Sequence, residues 1–251
     1  MIKRSFEFFL LYNKEVFYNK IAYLWTLLIP LGLMIINNRS WIASPPSIEE
    51  YQTTLFFYWS FMILITATSG VGIALLIVRD NGFLKMFKFI SGSKMAVILG
   101  KMESQWFFIF VNLLFFNLVT SLLFHQPVFH TLSIAFLVAL IVPLPVFFLF
   151  LWIASLPLKS ETIAPVFTLL IFPMIYAAGY IQEISNPIIS FFAWLNPASL
   201  IVNTSSVIAG LVSNLQINTL PLLSSLTGIL FCIIIGNISY KMIGITSKSA
   251  R

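Results

Sequence analysis

Long apolar runs recur along the whole chain, and they constrain the fold more than any other feature of the sequence. A helix that crosses the hydrocarbon core of a bilayer needs about 20 mostly apolar residues. Runs near that length predict membrane-spanning helices at six places: 21–36, 53–78, 106–124, 132–156, 163–181 and 220–240. The first run is short, and Trp25 and Trp41 are expected to extend it as anchors at the membrane interface.

The composition is that of a membrane protein. Hydrophobic residues make up 59% of the chain and charged residues only 9%, whereas soluble proteins are about 25% charged. The length of 251 residues suits one domain, so we expect a single all-α integral membrane domain over 1–251. With Cys232 as its one cysteine, the chain cannot form an internal disulfide.

When both termini are placed in the cytoplasm, almost all basic residues fall on the cytoplasmic side of the membrane. The predicted internal segments then hold thirteen of the fourteen Lys and Arg residues, and only Arg39 lies outside. Thirteen basic against five acidic residues inside give a net of +8, and one against three outside gives −2. This pattern satisfies the positive-inside rule and predicts a multi-pass protein of the plasma membrane with both termini cytoplasmic. Orientation and anionic lipid then explain the net charge of +6, without nucleic acid as a partner.

Two charged stretches outside the spans are predicted as helices at the membrane surface. Residues 1–20 mix aromatic and charged side chains, which is typical of an amphipathic interfacial helix. Residues 79–101 separate two apolar runs, and we expect a short helix there with Asp80 as its N-cap and Gly92 at its end. The apolar face of that helix is expected to consist of Phe83, Phe87 and Ile90.

Residues 184–210 are half polar, and their apolar pieces are too short to cross a bilayer. The pair Asn196 and Pro197 is expected to break the helix in this segment. We therefore expect two half-depth helices that enter from the outside and pack on the bundle, because non-helical backbone is tolerated at that depth only where protein or water covers it.

Polar residues inside the predicted spans are few. Asn112 and Asn117 lie in the third span and are expected to face the bundle interior, either as contacts between helices or as lining of a transport pathway. No Asp, Glu, Lys or Arg lies near the middle of a predicted span. This argues against ion-coupled transport, although backbone carbonyls of broken helices also coordinate ions.

Sequence motifs of catalysis and nucleotide binding are missing. No GxxxxGK[ST] loop, HExxH pair or GxSxG elbow occurs. His125 and His130 stand at an external turn without carboxylates nearby, which favours loop residues over metal ligands. We therefore expect no enzyme activity, metal or cofactor on this chain, and if ATP drives the protein, another polypeptide must bind it.

Eight residues within 79–101 follow a spacing that occurs in one family of transporters: Arg79, Asp80, Gly82, Leu84, Lys85, Ser91, Gly100 and Lys101. With them the stretch resembles the loop after the second membrane helix in exporter-type permeases of ABC transporters, the ABC type 2 class. It departs from that pattern at Asp80, where Glu is common, at Phe83, where Thr is usual, and at Ser91, where Pro is also found. The string LNPASLIVN, which contains Asn196 and Pro197, resembles the Asn-Pro signature before the last span of the same family.

In that family the loop, here 79–95, forms a coupling helix that seats in a cleft of a separate ATPase subunit. The resemblance implies ATPase-coupling roles for Arg79, Asp80, Gly82, Phe83, Leu84, Lys85, Phe87 and Lys88. It assigns Asn196 and Pro197 to an external gate formed by a broken re-entrant helix pair before the sixth span. It also implies two copies of the ATPase, which bind ATP and Mg, and a dimer of this chain with itself or with a homologous permease.

The activity implied by the resemblance is export of an amphipathic substrate from a bacterial cell, such as a drug or an antimicrobial or secreted peptide. Two other classes of function stay open at this point. One is a membrane-bound immunity or sensor protein that binds a toxin or a kinase and transports nothing. The other is a secondary transporter, whose activity would depend on an ion gradient.

Overall fold

The computed structural model describes residues 2–18, 20–183, 186–213 and 219–244, and these residues form helices joined by short turns. We number ten helices in chain order: α1 (Ile2–Tyr18), α2 (Lys20–Asn37), α3 (Ile48–Asp80), α4 (Phe83–Ser91), α5 (Lys94–Leu123), α6 (Val128–Ser155), α7 (Ser160–Glu183), α8 (Pro187–Leu195), α9 (Pro197–Val212) and α10 (Thr219–Met242). The chain is therefore all-α over the described residues, as the sequence predicts.

Among the described residues, five helices are long and apolar enough to cross a membrane: α3, α5, α6, α7 and α10. They correspond to the second to sixth predicted spans and make the chain a multi-pass helical membrane protein. In the region of the first predicted span the structure describes a shorter apolar helical stretch, Leu24–Asn37. The break expected at Asn196 is confirmed, since α8 and α9 meet there at an angle of 111°. Residues 184–185, which begin the predicted re-entrant segment, lie outside the described residues.

The centre of the bundle is α9, in which 11 of the 16 residues are buried. It packs against α3, α6, α7 and α10. The largest side chains of the core come from the helices around it and include Trp59, Phe116 and Phe147, all fully buried. By contrast, only 17% of the apolar stretch of α7 is buried. Most of that helix therefore faces away from its own bundle.

Gly70 and Gly72 of α3 allow neighbouring helices to approach closely. A methyl group on Gly72 would lie 2.9 Å from the carbonyl oxygen of Phe150 in α6, and one on Gly70 would overlap the side chain of Gln105 in α5. Small residues at such contacts are the usual means of helix association in membranes, where apolar side chains gain little by leaving lipid.

The structure corrects where the third predicted span begins. α5 starts at Lys94 rather than at 106, and the Ser93 hydroxyl accepts the backbone N–H of Ala96 at its N-terminus. Residues 94–101 were expected to belong to the charged surface stretch 79–101, with the span beginning only at 106. The helix therefore includes three charged residues, Lys94, Lys101 and Glu103. The charges are tolerated within a helix because each finds a partner on another element, as described below.

Pro143 interrupts the helix that forms the fourth predicted span. The helical pattern of α6 breaks at Val142, directly before Pro143. Proline lacks an N–H, so the carbonyl four residues earlier, that of Ala139, loses its helical partner. The indole Nε1 of Trp106 in α5 donates to that oxygen at 3.0 Å. A neighbouring helix thus satisfies the freed carbonyl, which is what makes a proline acceptable at this depth.

Candidate functional site

Four parts of the chain that the sequence places in the cytoplasm converge at one end of the bundle. They are α1, the segment from Arg79 to Lys94, the turn between α6 and α7, and the end of α10. Arg4 of α1 donates to the carbonyl of Ser91 at 2.6 Å, and Lys94 donates to the carbonyl of Tyr240 at 2.7 Å. We call this region the basic end of the bundle.

Arg79 and Asp80, at the end of α3, bind the turn that joins α6 to α7. The Arg79 guanidinium, which is 2% exposed, donates to the carbonyls of Ala154, Leu156 and Leu158 at 2.9, 2.6 and 3.0 Å. It also pairs with the Asp80 carboxylate at 2.9 Å. The other Asp80 oxygen accepts the backbone N–H of Ser160 at 2.8 Å, at the first residue of α7. We call this arrangement the inner clamp.

The inner clamp corrects one sequence prediction. Asp80 does not cap α4, because its carboxylate is engaged by Arg79 and by the start of α7. The N-cap of α4 is Gly82, which provides no side chain and has a left-handed φ of 75°. Gly92 ends the helix as predicted, again in the left-handed region with φ 70°. Glycine is suited to both positions because it alone adopts this conformation without steric cost.

Three basic side chains at this end donate hydrogen bonds to carbonyls at the carboxyl ends of three helices. Arg79 binds carbonyls at the end of α6, Arg4 binds Ser91 at the end of α4, and Lys94 binds Tyr240 and Ile243 at the end of α10. The last carbonyls of a helix have no partner within it and carry the negative end of its dipole. Cations at these places therefore satisfy hydrogen bonds and oppose that partial charge.

The short helix α4 has one face in the protein and another that the chain leaves open. Leu84 is 1% exposed, and the ring of Phe87 packs on Phe8 of α1 with 5.4 Å between centroids. Next to this face stands an apolar stripe of four exposed side chains: Phe83, Met86, Phe89 and Ile90. Phe89 is 92% exposed, so almost none of its ring is used in this chain.

The structure distributes the residues predicted for ATPase coupling over three environments. Those buried or engaged within the chain are Arg79, Asp80 and Leu84. Those on the open surface are Gly82, Phe83 and Lys85, and those half-buried are Phe87 and Lys88. Met86 and Phe89, which the sequence prediction omitted, belong to the open stripe, and the helical period of α4 would have placed them beside Phe83 and Ile90.

An ion pair fixes α1 along the first turns of α5. The Lys101 ammonium, 2% exposed, lies 3.3 Å from the Glu15 carboxylate and 4.6 Å from the centre of the Tyr12 ring. Burial raises the pKa of the Tyr12 phenol above its usual value, and the nearby Glu15 carboxylate raises it further. The Ser5 hydroxyl donates to Glu103 at 3.0 Å. Two charged residues of α5, Lys101 and Glu103, thus find their partners on α1.

Asn196 joins the start of α9 to α7 within the bundle, at the level of Met174. Its Oδ1 accepts the N–H of Ala198 at 3.0 Å, which makes it the N-cap of α9, with Pro197 in the first turn. Its Nδ2 donates to the carbonyl of Met174 in α7 at 2.7 Å. The predicted gate residues therefore hold the bend between α8 and α9 against a neighbouring helix.

Asn112 and Asn117 do not face a common space. Asn112 donates to the hydroxyl of Thr26 in α2 at 3.1 Å, and Asn117 donates to the hydroxyl of Thr131 in α6 at 3.2 Å. Of the two roles left open by the sequence, these contacts favour hydrogen bonds between helices over the lining of a pathway.

Asn117 belongs to a buried group of polar side chains at the end of the bundle opposite the inner clamp, and the other members carry hydroxyls. The Tyr51 hydroxyl lies 2.8 Å from that of Thr120 and 3.1 Å from that of Ser121, and Ser121 lies 2.8 Å from Thr131. These bonds join α3, α5 and α6, and we call the group of Tyr51, Asn117, Thr120, Ser121 and Thr131 the outer cluster. The sequence prediction missed it because isolated hydroxyls in apolar runs do not reveal their partners.

Comparison of the chain with protein-family models, with curated proteins and with solved structures found no match. The geometry of the basic end and the sequence pattern of 79–101 are therefore the grounds for a functional proposal.

Proposed function

We propose that this chain is the membrane permease subunit of an ATP-driven exporter and that α4 docks on a separate ATPase. The observation that carries the proposal is the open apolar stripe of α4. Phe83, Met86, Phe89 and Ile90 stand on a short helix at the basic end, where a cytoplasmic partner can reach them. Aromatic and methionine side chains are enriched where proteins bind one another.

The attachment of α4 suits a helix that transmits force. Arg4 and Phe87 hold it to α1, and the inner clamp joins the preceding helix, α3, to the ends of α6 and α7. A displacement of α4 by a partner would therefore be passed to several membrane helices together. A rigid-body movement of this kind is a common way to switch between two states.

We propose six spans with both termini in the cytoplasm, with α2 as the first span. Its contacts support this, because Thr26 binds Asn112 in the middle of α5 while Trp41, after its end, packs on Phe124 after the end of α5. α2 thus follows α5 over most of its length. The bent pair of α8 and α9 is then the re-entrant segment on the outer side, where Asn196 would hold a gate.

A complete transporter of this kind would contain two permease chains and two ATPases, which supply the ATP and Mg sites. The second permease would be a copy of this chain or a homologous one. The substrate would be amphipathic, such as a drug or an antimicrobial or secreted peptide, because the spans carry few polar and no central charged side chains. Export from a bacterial cell is the direction implied by the resemblance of 79–101.

The test is purification of the tagged full chain from its native membrane, with ATP hydrolysis in the purified complex as the readout. Phe89→Asp should reduce the recovered ATPase activity by about tenfold or more, since a central interface side chain commonly contributes this much. Phe129→Asp is the matched control, because Phe129 is 90% exposed at the other end of the bundle, and it should leave the activity unchanged.

Two results would contradict the proposal. If the wild-type complex contained no ATPase, the immunity or sensor alternative would be favoured. If an ATPase were recovered equally with Phe89→Asp and with the wild type, α4 would not be its docking site. Transport that stops with an uncoupler while the ATP level is held constant would instead indicate a secondary transporter.

A further inference from the structure

Three neighbouring helices differ in the regularity of their backbones. α5 is continuous from Lys94 to Leu123. α3 contains a π-helical segment at Thr66–Ile73, and α6 is interrupted at Val142. Because π-helical turns are rare and often lie at functional sites, and bends arise at π turns and prolines, α3 and α6 each have a place where they can bend.

The two irregular places adjoin consecutive residues of α5. Gln105 is 1% exposed and lies against Gly70 in the middle of the π segment. Trp106 donates its indole N–H to Ala139, whose carbonyl is freed by Pro143. Because Gln105 and Trp106 are adjacent, neighbouring residues of the continuous helix α5 contact the π segment of α3 and the interrupted part of α6.

On one side of these two contacts the helices are joined by the outer cluster. Tyr51 of α3 is bonded to Thr120 and Ser121 of α5, and Ser121 and Asn117 are bonded to Thr131 of α6. Every bond in this cluster is between buried side chains, where water does not compete. The outer parts of the three helices are therefore held in one arrangement.

On the other side, α3 and α6 are joined to each other by the inner clamp. Arg79 binds the carbonyls of Ala154 and Leu156, and Gly72, near the end of the π segment, packs directly on the backbone of Phe150. Continuous α5 has no part in these bonds. The last turns of α3 and the second half of α6 are thus one unit, and that unit is separated from the outer cluster by the two irregular places.

The hydrogen bonds of the π segment depart from the regular α-helical pattern. The N–H of Ala74 is directed at the carbonyl of Ser69, five residues earlier, and also at that of Val71. The Thr66 hydroxyl bonds to the carbonyl of Met62 at 2.8 Å, a contact that often bends helices. The buried hydroxyl of Thr68 has no hydrogen-bond partner among the described residues. A change of bonding pattern here would therefore break few strong interactions.

We propose that α3 and α6 bend together at the level of Gln105 and Trp106, so that the inner clamp moves as one unit against α5 and the outer cluster. The Trp106 to Ala139 hydrogen bond holds one of the two positions. This hinge does not depend on which partner binds α4, because it follows from bonds within the chain. The hinge proposal can therefore be wrong while the ATPase proposal is right, and the ATPase proposal can be wrong while the hinge proposal is right.

The experiment measures distances between spin labels in the full chain, reconstituted in lipid nanodiscs with Cys232→Ala as background. One label on exposed Val111 of α5 serves both pairs. The inner pair adds Asn81→Cys beside the inner clamp, and the outer pair adds Ile48→Cys at the start of α3. Trp106→Phe is the test variant, and Trp25→Phe, at an exposed position of α2, is its matched control.

The inner pair should show two distances, or a distribution about twice as wide as that of the outer pair, as expected for two populated states. Trp106→Phe should change the ratio of the two inner distances about fivefold, the effect of losing one hydrogen bond, without changing the outer pair. Trp25→Phe should change neither.

The proposal is overturned if the inner distribution is as narrow as the outer one and Trp106→Phe leaves it so. It is also overturned if Trp106→Phe broadens both pairs equally, because the indole would then only stabilise the fold. Hydrogen exchange of the wild-type chain gives an independent check without substitutions. Amides of 66–73 should exchange faster than those of 55–65, and equal protection of both segments would exclude the hinge.

Discussion

Gly236 of α10 lies directly on Phe148 of α6: a methyl group at position 236 would be 2.6 Å from both the Cβ and the carbonyl oxygen of Phe148. Neither atom belongs to a flexible side-chain end, so the two helices would have to separate to admit a side chain. This contact sets how closely the last helix approaches the bundle.

Gly236→Ala should therefore destabilise the protein by about 1–3 kcal/mol, the range for overpacking a close contact. Gly32→Ala in α2 is the matched control, because nothing lies within 4 Å of the position its methyl group would take. The control should be neutral or gain up to about 1 kcal/mol from helix propensity. Thermal unfolding of both variants in the same detergent provides the comparison, and equal midpoints would show that the Gly236 contact is not limiting.

Arg79→Met tests the inner clamp. Removal of the guanidinium leaves the Asp80 carboxylate and three carbonyls without their donor, and loss of one partner of a buried ion pair costs about 3–5 kcal/mol. We expect a large drop in unfolding temperature or loss of folded protein. Arg39→Met is the control, since Arg39 is exposed at the opposite end of the bundle. A similar small effect of both substitutions would mean that the clamp contributes little.

Asn196→Ala should destabilise the bend between α8 and α9. It removes both the cap on Ala198 and the bond to Met174 of the neighbouring helix. Loss of an N-cap alone costs about 1 kcal/mol, and the second bond should add a similar amount. Asn186→Ala, which removes only the local bond to the N–H of Ile188, is the comparison. Proteolysis or thermal unfolding should separate the two variants, and an equal response would indicate that the bond to Met174 is weak.

The proposed topology can be checked by labelling of single cysteines in whole cells. The native Cys232 is 1% exposed and should not react. Ser44→Cys, in the exposed turn before α3, should react with a membrane-impermeant maleimide from outside. Asn81→Cys, at the basic end, should react only after the cells are permeabilised. Reaction of position 81 in intact cells would reverse the orientation.

The five long spans and the break at Asn196 could be predicted because length, hydropathy and an Asn-Pro pair are local properties. The start of α5 could not. Without knowledge of their partners, Lys101 and Glu103 indicate a charged segment at the membrane surface. They are accepted in a helix only because Glu15 and Ser5 of α1 bind them. The register of such contacts is a tertiary property.

The same limit applies to the basic end. The resemblance assigned Arg79 and Asp80 to ATPase coupling, but the bonds of Arg79 to Asp80 and to the turn between α6 and α7 could not be predicted from the sequence. The π segment was also beyond prediction. Which hydrogen-bond pattern a helix adopts there depends on what fills the space beside it, and here that is Gln105.

Each cation that binds a helix end precedes its carbonyl acceptor in the chain. Arg4 precedes its acceptor Ser91 by 87 residues, Arg79 precedes Ala154 by 75, and Lys94 precedes Tyr240 by 146. In each case ribosomal synthesis makes the charge long before the carbonyl that receives it. A nascent chain therefore carries these charges free at the membrane surface, where they direct insertion, and only later helices neutralise them. A product truncated before α10 would leave the ammonium of Lys94 without both of these acceptors.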